Sequence, residues 1–144
     1  MRQKVCIIGS GLTSLIASLV LSKCDLSIDL FLEEKTPDSF KRKNGRSIAF
    51  SKNSFDFLSN YNFLNQKTKM FWPVNQIILY YEQNYKPKEI LRFEDDTLMY
   101  VSKYNSILSF LKKKIYQKGQ INIKKNKLSK KNIYNLINGK SKYF

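Results

Sequence analysis

KVCIIGSGLTSLIASLVLSKCDLSIDLFLEE, residues 4–34, is the stretch that decides the fold. Four apolar residues, Val5, Cys6, Ile7 and Ile8, run straight into Gly9-Ser10-Gly11. Leu12, Leu15, Ile16, Leu19 and Val20 then recur at i, i+3, i+4, i+7 and i+8, the stripe of an amphipathic helix. Ile28, Leu30 and Leu32 alternate before Glu33, as a half-buried strand does. Strand, glycine turn, helix and strand ending in acid form the pattern of a dinucleotide-binding βαβ unit.

Each part has a physical task. Gly9 permits the tight turn out of the strand, and Gly11 has no side chain to keep a pyrophosphate from the backbone. The helix that opens there points free N–H groups and its positive dipole end at phosphates. Glu33 lies 24 residues after Gly9, where a carboxylate accepts hydrogen bonds from ribose hydroxyls. The third glycine of the usual G-x-G-x-x-G is replaced by Ser14, which loosens close helix–strand packing without forbidding it.

A chain of 144 residues, 42% apolar, has the length of one domain and enough apolar surface for a core. No apolar run reaches the ~18–20 residues of a membrane span. Positions 12–21 come nearest, but Thr13, Ser14 and Ser18 interrupt them. Gly9 and Gly11 break any secretory-signal core. Cys6 and Cys24 are read as reduced thiols of a cytoplasmic protein. The absence of histidine excludes Ser-His-Asp and Cys-His catalysis and His-containing zinc motifs, so difficult chemistry must come from a cofactor.

The net charge of +15 is uneven. All eleven acids lie at or before Asp96, while twelve lysines lie between positions 103 and 142. Such a stripe suits nucleic acid or an anionic membrane surface. Arginine is scarce and no nucleic-acid motif is present, so a solvated basic face is the preferred reading. Gly139-Lys140-Ser141 has the look of a P-loop end, but the glycine required five residues upstream is Tyr134.

Farther along, residues 46–50 read as extended, and Ser51 or Asn53 as the cap of a short helix carrying Phe55, Phe57 and Leu58. Positions 74–81 and 88–93 read as paired strands with Lys86-Pro87 in their turn. Glu94-Asp95-Asp96 reads as a polar connection and 97–101 as another strand. Asn105 is the expected cap of a helix reaching Tyr116, with Gly119 as its stop. Short strands are expected at 121–123 and 133–137. The expected class is α/β: a Rossmann-like βαβ domain with an inserted antiparallel strand segment.

The runs GSGLTSLIASLVLS…LFLEE, GRSIAFSKNSFDFLSNYNFL, WPVNQIILYYE and LRFEDDTLMYVSKYNSILSFLKKKI, in that order, resemble the N-terminal part of the ubiquinone-biosynthesis hydroxylases. These are aromatic-ring, FAD-dependent monooxygenases of the para-hydroxybenzoate hydroxylase type. The R-S-I-A-F-S segment followed by W-P carries more of the likeness than the glycine motif does.

The resemblance implies FAD in the glycine site. Gly9, Ser10, Gly11, Leu12, Thr13 and Ser14 would lie along its pyrophosphate, and Glu33, or Glu34 in the adjacent register, would hold the adenosine ribose. Arg46 matches an arginine near the flavin side, and Asn105 falls where the family carries a further cofactor-contacting residue. The implied reaction is hydroxylation of a polyprenyl-phenol ring with O2, the flavin being reduced by NAD(P)H or another donor. Peripheral association with the inner membrane face or with a biosynthetic complex would follow from such a substrate.

Family members are more than twice as long. Their later Asp-Gly and Gly-Asp flavin motifs have no counterpart in residues 1–144, so the expectation is a partial FAD-binding domain that is inactive by itself. Two other readings stand beside it. One is a non-catalytic basic module with a degenerate nucleotide fold that binds RNA or an anionic membrane. The other is a different FAD oxidoreductase sharing the first motif.

Overall fold

A computed structural model describes residues 3–32, 45–64, 69–125, 128 and 130–137. The chain divides into two compact units: Met1–Gly45 with Ile107–Phe144, and Arg46–Ser106. The second is an insertion, in sequence, into the first.

The first unit holds a parallel sheet. Strand β1 (Gln3–Ile8) leads through a glycine turn into helix α1 (Leu12–Leu21), and β2 (Leu26–Phe31) follows. The order is β1-β2-β6, with β6 at Ile121–Lys124, and both pairings are parallel. As the middle strand, β2 is buried on both faces: Ile28, Asp29 and Leu30 are all enclosed. Leu12, Leu15, Ser18 and Leu19 form the buried stripe of α1. Ile107, Leu111 and Ile115 form that of α3 (Tyr104–Tyr116), which starts in the second unit and continues into the first. Each fully enclosed Leu or Ile contributes roughly 1.5–3 kcal/mol. The buried Ser18 hydroxyl donates to the Ser14 carbonyl at 2.8 Å, so its polar atom is satisfied inside the helix.

The second unit is antiparallel, in the order β3-β5-β4. It comprises β3 (Ser47–Ser51), α2 (Lys52–Asn60), β4 (Trp72–Gln83) and β5 (Lys86–Lys103). Of the two expected caps, Ser51 takes the place, its hydroxyl accepting from the Ser54 N–H at 3.2 Å, and Asn53 lies inside the helix. The core is aromatic. Phe55 stacks on Tyr100 with ring centroids 4.0 Å apart and meets Phe71 edge-on at 4.9 Å.

Several expectations are corrected. The hairpin turn is Asn84-Tyr85, both at positive φ (53° and 59°), so Lys86-Pro87 begin β5 instead of making the turn. The segments expected as a strand at 88–93, a connection at 94–96 and a strand at 97–101 are one 18-residue strand, β5. It pairs with β4 up to Glu94 and again from Met99, and with β3 from Met99 to Lys103, so positions 95–98 pass through a register shift opposite Val74–Gln76 without ending the strand. Positions 133–137, expected as a strand, lie in helix α4 (Lys130–Ile137). Helix α3 starts at Tyr104, which puts Asn105 inside its first turn and not at the cap. The helix ends at Tyr116, and Gly119 lies beyond it without the positive φ of a glycine stop. Among the described residues no helix is long and apolar enough to cross a membrane.

Candidate functional site

The glycine turn sits where β1 ends. Gly9 has φ +138°, a conformation that L side chains rarely adopt, and its N–H donates to the Phe31 carbonyl at 3.0 Å. That bond ties the turn to the end of β2. A β-carbon added at Gly9 would collide with the Ser14 hydroxyl. Position 14 therefore already packs against the turn through a small polar side chain, in the place where the usual motif has its third glycine.

Gly11 is the N-cap of α1, with extended backbone (φ −83°, ψ 173°) and no side-chain capping bond. A β-carbon built on it meets nothing within 4 Å. Leu12, Thr13 and Ser14 follow as the first helical residues, so their N–H groups lack intrahelical acceptors. No acid stands in this first turn to compete with an anion. A positive-φ turn, an open glycine and unopposed N–H groups fit a pyrophosphate. Thr13 is exposed, Leu12 is buried, and Ser10, Gly11 and Ser14 are half-buried.

Glu33 and Glu34, the expected ribose carboxylates, lie outside the described residues. Arg46 and Asn105 fall together in the second unit. The Tyr104 N–H donates to the Arg46 carbonyl at 2.7 Å, and the Arg46 guanidinium lies 5.3 Å from the centre of the Tyr104 ring. Both Arg46 and Asn105 are exposed. The partnership of Arg46 with Tyr104 had no signal in the sequence, because it comes from β3–β5 pairing carried one step past Ser47↔Lys103. Nearby, the buried Ser102 hydroxyl has no hydrogen-bond partner among the described residues.

A polar row crosses the parallel sheet that sequence reading also missed. Cys6 pairs with Asp29, and Asp29 with Asn122. The Asn122 amide donates to the Asp29 carboxylate at 3.0 Å. Burial, and then the charge of Asp29, push the Cys6 thiol above its usual range. On the lysine-rich side, burial lowers the Lys114 ammonium, and Lys118 and Lys23 add to the effect by repulsion. Among the described residues no group of three or more His, Cys, Asp and Glu is placed to hold a metal ion.

The fold is shared with solved structures at low identity. A p-nitrophenol 4-monooxygenase from Pseudomonas putida matches with TM-score 0.63 and 15% identity, over 88% of this chain and 32% of its own. A 2-methyl-3-hydroxypyridine-5-carboxylic acid oxygenase variant matches with TM-score 0.61 and 14% identity, over 86% of this chain and 31% of its own. A PqsL variant from P. aeruginosa matches with TM-score 0.65 and 11% identity, over 86% of this chain and 33% of its own. The chain therefore spans about a third of the length of these structures. No protein-family model and no curated protein matches the sequence.

Proposed function

We propose that the chain is the FAD-binding portion of a flavin monooxygenase that hydroxylates the aromatic ring of a ubiquinone precursor. The observation that carries the reading is the turn at Gly9 feeding directly into the open N-terminus of α1. The Leu12, Thr13 and Ser14 N–H groups would hold the pyrophosphate, with Gly11 leaving room for its approach. Two of the structures that share the fold are named for oxygenation of ring compounds, p-nitrophenol and a hydroxypyridine carboxylic acid, which supports the reaction class.

When bound, FAD supplies the redox chemistry that activates O2, with NAD(P)H or another donor as the source of electrons. This chain's residues bind and orient the cofactor. Product formation rests on a polyprenyl-phenol substrate and on the further flavin motifs that the family resemblance calls for. The basic face around Lys23, Lys114 and Lys118 would suit peripheral contact with an anionic membrane, where such a substrate resides.

Titrating FAD with the chain and following flavin fluorescence tests the reading. Saturable binding at one flavin per chain, weakened by free ADP, is expected. Absence of saturable flavin binding, with salt-sensitive retention on a polyanion instead, would replace it with the basic-module reading.

A further inference from the structure

We draw no further inference here: the strongest candidate, the basic surface patch of the first unit where Lys23, just past α1, lies near Lys114 and Lys118 around the end of α3, carries nothing because the chain spans about a third of the structures that share its fold, and nothing in the structure shows whether an anionic partner or further residues of the same protein cover it.

Discussion

A β-carbon built on Gly9 collides with the Ser14 hydroxyl, so any side chain at position 9 requires the serine to turn aside. The contact joins the turn at the end of β1 to the first turn of α1. With φ +138°, it makes any side chain at position 9 unfavourable on two counts. Gly9→Ala should destabilise the fold by about 1–3 kcal/mol, read as a lower denaturant midpoint at unchanged slope. Adding Ser14→Gly should recover the part due to the collision and leave the part due to φ. Full recovery would show that backbone conformation contributes nothing.

Tyr85 holds φ 59° at the second position of the hairpin turn and is 94% exposed. A left-handed conformation is unfavourable for a bulky L residue, and this turn type favours glycine there. Tyr85→Gly should leave the fold intact and stabilise it by up to about 1 kcal/mol, net of glycine's extra freedom in the unfolded chain. Thermal unfolding checks the sign.

Phe55 is fully buried between Tyr100 and Phe71. Phe55→Ala should remove about 3–5 kcal/mol, enough to unfold a unit of this size at moderate temperature. Phe55→Leu should be far milder. Equal loss in both variants would mean that ring stacking on Tyr100, not filled volume, holds this core.

Burial and Asp29 raise the Cys6 thiol. Below roughly pH 8.5 the folded and unfolded chains both keep that proton. Above it the unfolded chain ionises first, so stability falls as pH rises until the folded thiol ionises too. Cys6→Ser should remove this alkaline loss. In the native protein the exposed Cys24 should be alkylated well before Cys6, as peptide mapping would show.

The first βαβ unit was legible because three signals agreed: an apolar strand, a glycine turn and a helical stripe. The α2 cap was legible only to within Ser51 or Asn53, both polar residues just before the apolar run, and Ser51 takes it while Asn53 lies inside the helix. The hairpin turn was not legible, because Lys86-Pro87 carries the stronger local punctuation while Asn84-Tyr85 takes the positive φ values. Acids at 94–96 read as loop, yet β5 is paired with β4 on both sides of them, at Glu94 and at Met99, and carries Asp95 and Asp96 through a register shift, which no local pattern encodes. For positions 133–137, Ile133 and Ile137 fit either a two-residue or a four-residue repeat. So short an apolar segment does not separate strand from helix. Arg46 beside Tyr104, and Cys6 beside Asp29, arise from strand register, which no local pattern encodes.

Under the proposed function the opening of α1 at Gly11 would hold the FAD pyrophosphate. Gly11 has extended backbone and nothing within 4 Å of an added β-carbon, so Gly11→Val should fold with a loss of at most about 1 kcal/mol. The visible spectrum of each protein, after incubation with FAD and desalting, is the direct measurement. Retained flavin absorbance is expected for the unaltered chain, with its loss in a folded Gly11→Val. A colourless unaltered chain, or equal flavin retention in both proteins, would contradict it.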